Sequence, residues 1–133
     1  MMMALGMFVF SLPTLAYQQL QRQHAWRHAS TDRVGARAAR QFLGPGDESV
    51  SLSGWVAPEF AGAPADIDTL RRMADSGRPW LLVDGQGRVW GAYVIEGVSE
   101  TRTVFLQDGT PRRVDFEISL KRTDERALAE AAP

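Results

Sequence analysis

Cysteine is absent from the 133-residue sequence. That single absence excludes disulfide scaffolds, thiolate zinc sites, iron–sulfur clusters and cysteine nucleophiles together. Lysine is nearly absent as well, since Lys121 is the only lysine among fifteen basic residues. Arginine supplies the rest, and its forked, weakly hydrated head suits buried contacts between proteins. An excess of either charge is missing too. Fifteen basic residues stand against sixteen acidic ones, for a net charge of −1, which argues against a globally basic nucleic-acid binder. The longest apolar run, Met1 to Phe10 with Leu12 and Leu15 beyond it, is shorter than the about 20 residues a membrane helix needs. No basic residue precedes Arg22, so the positive n-region of a secretory signal is missing. The segment Met7–Phe10 reads instead as a buried first strand. What remains is ordinary for a globular domain: 44% hydrophobic and 23% charged residues.

Hydrophobic periodicity predicts a chain made mostly of strands. Tyr17–His28 leans to strand. Ser30–Arg40 is polar and arginine-rich around Gly35 and reads as an extended loop or arm. Gly44-Pro45-Gly46-Asp47 reads as a turn. Val50–Val56 alternates like a half-buried strand, and Gly54 within it suggests a bulge or a close backbone approach. Ile67, Leu70, Met73 and Ala74 share one helical face, with Asp66 or Asp68 as cap and Gly77-x-Pro79 as stop. This predicts one short helix over about residues 67–76, preceded by a strand end at Pro58 and a loop at Gly62–Pro64. Hairpins follow. Trp80–Val83, Arg88–Glu100, Thr103–Leu106 and Val114–Leu120 read as strands, separated by turns at Asp84–Gly87 and Asp108–Pro111. Thr123–Pro133 reads as a flexible tail.

Catalytic signals are weak. His24 and His28 would lie about 13 Å apart on a strand, too far to share an ion. Asp84-Gly85-Gln86-Gly87 is followed by a strand rather than a helix, so a phosphate loop is disfavoured. Glu96 and Glu100 are too widely spaced on a strand for paired carboxylate chemistry. No nucleophile–base pair, metal set or cofactor motif is present, and the residues point away from an enzyme. The densest signal is the stretch Leu20–Phe42, whose five arginines and one aspartate give a local charge of +4. Trp26, Val34 and Phe42 interleave with Arg27, Arg33, Arg37 and Arg40. Aromatics with arginines are what the centres of protein interfaces favour, so these seven residues are the candidate subunit-interface set.

The same residues carry a family resemblance. Met2-Met3-Ala4-Leu5-Gly6-Met7-Phe8-Val9-Phe10, Leu20-Gln21-Arg22, Trp26-Arg27-His28, Arg33-Val34-Gly35-x-Arg37 and Gln41-Phe42-x-Gly44-x-Gly46-x-Glu48 open it. Leu70-Arg71-x-Met73-Ala74, Val83-Asp84-Gly85, Asp108-Gly109-x-Pro111-Arg112 and Phe116-x-x-x-Leu120-x-Arg122 continue it. Together they resemble the GpU family of tail proteins, found in peduovirus-type contractile-tail phages and related R-type bacteriocins. Ala38 departs from the pattern, where proline is expected, and no counterpart extends past Thr123.

The resemblance implies a mainly β (α+β) fold, a tail-tube-like β-barrel or sandwich with one short flanking helix. Residues 1–122 would form that domain with an extended arm at about 27–42, and 123–133 would be the flexible tail. It implies a structural, non-enzymatic component without cofactors: a ring that adapts the baseplate hub to the tail tube and initiates tube assembly. A tail terminator ring at the head-proximal end and a nucleic-acid-binding module are the alternatives. The implied partners are further copies in a hexamer, the tail tube protein and the baseplate hub protein. Tape measure and sheath proteins are further candidates. No membrane is implied, and DNA would only pass through the lumen. The expected location is a phage tail or bacteriocin particle assembled in the host cytoplasm.

Overall fold

The computed structural model describes residues 2–11, 15–57, 64–109 and 111–124. Alternating side chains build seven strands: β1 (Met3–Leu5), β2 (Phe8–Phe10), β3 (Gln19–Arg33), β4 (Ala36–Val56), β5 (Trp80–Asp84), β6 (Val89–Phe105) and β7 (Pro111–Arg122). One helix, α1 (Pro64–Asp75), lies between β4 and β5. The strands form a single sheet in the order β2-β1-β5-β6-β7-β4-β3, and every neighbouring pair is antiparallel.

Period-two patterning decides which face is buried. Val50 and Leu52 on β4 sit opposite Leu120 and Ile118 on β7, and all four are sealed from solvent. Phe116 and Val114 continue the row. Ile67, Leu70 and Met73 of α1 join the same cluster with Leu5, Phe10, Leu82 and Tyr93. Helix α1 ends as its sequence predicts: the Gly77 N–H donates to the Ala74 carbonyl at 3.0 Å, and Gly77 adopts φ 68°.

The opposite face is polar. Rows run in register across four strands: Gln19–Ser53–Glu117–Ser99, Gln21–Ser51–Ser119–Gly97 and Gln23–Ser49–Lys121–Val94. Apolar and polar faces therefore alternate along β4 from Glu48 onward and along β7.

Several expectations are corrected. The opening strand is a small hairpin, not one strand: β1 and β2 flank a turn at Gly6-Met7, and Met7 is exposed on it. Gly6 has φ 58° there and lies against the Trp80 ring, so a side chain would fit neither the backbone nor the space. Ser30–Arg40 is not a loop. It is the closed end of the β3–β4 hairpin, with Gly35 in the turn at φ 73°. Gly44–Asp47 is not a turn either. It is strand β4 opposite a stretch where the β3 register slips between His24 and Trp26. Proline is tolerated there because β4 at that point has a strand on one side only. Arg88–Glu100 and Thr103–Leu106 merge into the single strand β6, with a register shift between Ile95 and Gly97. The expected close approach at Gly54 is present, because a side chain there would run into the amide of Gln18. The expected strand end at Pro58, the expected loop at Gly62 and Ala63 and most of the expected tail, residues 125–133, lie outside the described residues, while Pro64 opens α1 rather than closing the loop.

Candidate assembly interface

Strand β4 pairs with β7 only from Ser49 onward. Among the described residues, 36–48 have β3 as their one strand partner, so the distal part of this hairpin is a two-stranded ribbon that leaves the body. Strand β3 crosses the same stretch from His24 to Arg33, so at about 3.3 Å per residue the ribbon's length is roughly 30 Å. Isolated ribbons of this kind gain little stability on their own.

All seven candidate residues lie on this ribbon or its turn. Trp26 pairs with Pro45, Arg27 with Gly44, Arg33 with Ala36, and Arg40 with Ser30. Val34 is at the turn and fully exposed, while Trp26 and Phe42 are 62% and 60% exposed. The His28 ring meets Phe42 at 5.4 Å, and the His24 ring stacks on Trp26 at 6.0 Å with the planes 17° apart. An aromatic row thus runs outward along one face, continuing the line of the buried side chains. Leu43 is exposed as well. Among the described residues, Arg27, Arg33, Arg37 and Arg40 form no ion pair. Four unpaired guanidinium groups and a bare aromatic row are chemically fitted to carboxylates and apolar surface on another protein.

The root of the ribbon is built differently. Glu48 is 7% exposed. Its carboxylate accepts hydrogen bonds from Tyr93 Oη at 3.0 Å, Arg22 Nη2 at 3.0 Å and Arg122 Nη1 at 2.8 Å, and His24 Nδ1 lies 2.8 Å away. Burial pushes its pKa up, but the bonds from Arg122, Tyr93 and Arg22 outweigh that and hold it below the ordinary carboxylate value. Burial and the neighbouring carboxylate push the Tyr93 hydroxyl up to about 12, so it stays a donor. This cluster escaped sequence reading, although Glu48 falls on the inward phase of Glu48-x-Val50-x-Leu52 and Arg22 and His24 follow Leu20 in phase.

A second projection lies at the opposite end of the sheet. The β6–β7 hairpin runs past Val56 and Val114 to a tip where Val104, Phe105 and Leu106 are exposed. Val104 holds φ 55°, a strained conformation for a β-branched residue. The two outer strands of the polar-faced sheet are also open. Among the described residues, strand β3 has β4 alone as partner, and β5 covers β6 only from Val89 to Tyr93, leaving one edge of Val94–Phe105 without a strand.

Catalytic and metal readings gain no support from the geometry. His24 is engaged at Glu48 and His28 at Phe42. Glu100 pairs with Arg71 and Arg102, and Glu96 with Lys121. The Asp84–Gly87 segment is a hairpin turn whose Asp84 carboxylate accepts the N–H groups of Gln86 and Arg88. Among the described residues, no group of three His, Asp or Glu side chains is placed to hold a metal, and no helix is long and apolar enough to cross a membrane.

Comparison with known proteins decides the family. The model of the family Phage P2 GpU matches residues 6–125. The chain belongs to the Phage P2 GpU family. It is a phage-tail structural protein. A protein of Halomonas phage phiHAP-1, described as a probable tape measure protein, is 36% identical over 121 residues. That match covers 90% of this chain and 14% of the Halomonas phage protein, so the GpU chain spans about a seventh of its relative. Among solved structures, a chain from the virion of a native gene transfer agent particle superposes with a TM-score of 0.52 at 15% identity. It covers 81% of this chain and 80% of its own. A chain from the tail of an empty gene transfer agent particle, determined with C6 symmetry, gives 0.50 at 16% identity, with coverages of 81% and 78%. At these identities the two structures establish a shared fold.

Proposed function

We propose that this GpU-family protein is a ring-forming structural component of the tail, set between the baseplate hub and the first turn of the tail tube. One observation carries the reading. Strands β6, β7, β4 and β3 form a four-stranded segment that is apolar on one face, polar on the other and, among the described residues, open along β3 at one edge and along β6 beyond Tyr93 at the other. An even number of antiparallel strands means that β3 of one copy meets β6 of the next in antiparallel sense. Copies can therefore continue the sheet around a ring until no edge is left. The rows of glutamine, serine and glutamate would then line the lumen, where Lys121 is paired with Asp47 and Glu96 and Arg113 with Asp115, so the cations on this face are already engaged and would grip passing nucleic acid weakly. The sixfold symmetry of the gene transfer agent tail supports a hexamer.

In this ring the β3–β4 arm is the contact to a neighbouring subunit or to the adjacent layer. Trp26, Val34 and Phe42 supply apolar area, and Arg27, Arg33, Arg37 and Arg40 dock on carboxylates. The tube protein and the hub protein are the layers on either side. The Halomonas phage relative supports a position beside the tape measure protein, because there a homologous segment is part of one longer chain.

A tag fused after Pro133 and labelled with gold in purified tails tests the reading. Label at the baseplate end is the expected result. Label at the opposite end would make the protein a terminator ring, and label on no assembled tail, with the tag intact, would overturn both rings.

A further inference from the structure

The Glu48 cluster stands where the arm leaves the body, and its connectivity assigns it a task there. The carboxylate sits on β4 one residue before β4 gains its β7 partner. It gathers Arg22 and His24 from β3, Tyr93 from β6 and Arg122 from β7. Two of these groups extend the connection. The Arg22 guanidinium also covers the Trp90 ring at 4.2 Å, tying it to the body. The His24 ring also stacks on Trp26, the first residue of the exposed aromatic row. A chain of directional contacts thus runs from the end of the core into the arm.

We propose that Glu48 is a positioning residue that fixes the angle of the β3–β4 arm to the body before any partner is met. This deepens the ring reading and rests on it for the arm's purpose, though not for the clamp itself. Apolar packing would hold the root in place without fixing its pitch. Hydrogen bonds to one carboxylate from three strands fix it, because each is sensitive to angle. Buried ionic clusters are suited to this use, since they specify geometry more than they add stability. The lever is long. Over roughly 30 Å, a tilt of about 10° at the root moves the tip by roughly 5 Å. An arm set in advance spares the ordering cost that a swinging arm would pay on docking.

The cysteine-free sequence makes the test clean. Spin labels at Val34→Cys on the arm turn and Gln86→Cys on the exposed β5–β6 turn report the arm-to-body distance in the isolated full-length chain. The parent pair should give one narrow distribution, and Glu48→Gln should broaden it by about twofold or more while hydrogen exchange at Leu52 and Ile118 stays slow. Tyr93→Phe and His24→Gln, which each remove one partner, should broaden it less. Should Glu48→Gln fail to fold, those two variants decide the matter. Unchanged widths in the folded variants overturn the clamp. Tail assembly is then scored with the same variants: a broadened arm with normal tail yield keeps the clamp and removes the arm from the ring contact.

Discussion

The two halves of the β3–β4 hairpin share a chain and a hydrogen-bonding pattern, and they are held by different forces. In the root, from Gln19 to His24 and Glu48 to Val56, Val50, Leu52 and Val56 are buried in the core and Leu20 partly so, while Arg22, His24 and Glu48 are tied into the carboxylate cluster. In the arm, from Ala25 to Asp47, both faces meet solvent almost throughout. Strand pairing alone does not stabilise a ribbon in water. The root is therefore stable because of what the body places on it, and the arm draws its rigidity from the root alone. The same local structure is folded core at one end and an unfilled contact at the other.

Core truncation should separate the halves most sharply. Leu52→Ala, at a fully buried root position, should cost about 2–5 kcal/mol, seen as a lower midpoint in denaturant. Gly54→Val comes next. Its side chain would displace the Gln18 amide, which accepts the Trp55 N–H at 2.7 Å and donates to the Trp55 carbonyl at 3.2 Å. A loss of about 1–3 kcal/mol is expected.

The pH profile of stability should then report the root and ignore the arm. Glu48 has a folded pKa below its ordinary 4.5. Its contribution is complete above that value and is lost as pH falls through the lower folded one. Tyr93 acts at the other end: its contribution is complete below pH 10.0 and is lost as pH rises towards about 12. Urea melts across pH should show both declines, and Glu48→Gln should flatten the acid one.

The smallest effect on stability should come with the largest on assembly. Arg33→Glu combined with Arg37→Glu should shift the unfolding free energy by no more than about 0.5 kcal/mol, while intact tails disappear from the lysate. Normal tail yields from a well-expressed variant would show that the arm's charge is idle.

Legibility in the sequence follows the same division. The alternation at Val50–Val56 and Val114–Leu120 and the helix at Ile67–Ala74 were readable because burial imposes a period on them, and the turns at Asp84–Gly87 and Asp108–Gly109 because positive φ calls for glycine. The arm carries no such period, since neither of its faces is buried, so Ser30–Arg40 reads as loop although it pairs in register. Gly44-Pro45-Gly46 misleads for a related reason: these residues break central strands, and here the strand has a free edge. The interface composition, with arginine beside Trp26 and Phe42, is visible without any structure. Glu48 is the opposite case. It looks like a surface carboxylate, and only the pairing of β4 with β7 and β3 brings Arg122, Arg22 and His24 around it.

The hairpins that leave opposite ends of the sheet have one more consequence. One carries arginines and aromatics at Trp26–Phe42, the other an uncharged apolar tip at Val104–Leu106, strained at Val104. A closed ring of such copies would present unlike rims above and below, and turning it over would not restore it. A protein of this shape carries an arrow. Anything laid down on one rim inherits that heading, and a tail started on such a rim could lengthen in one direction only.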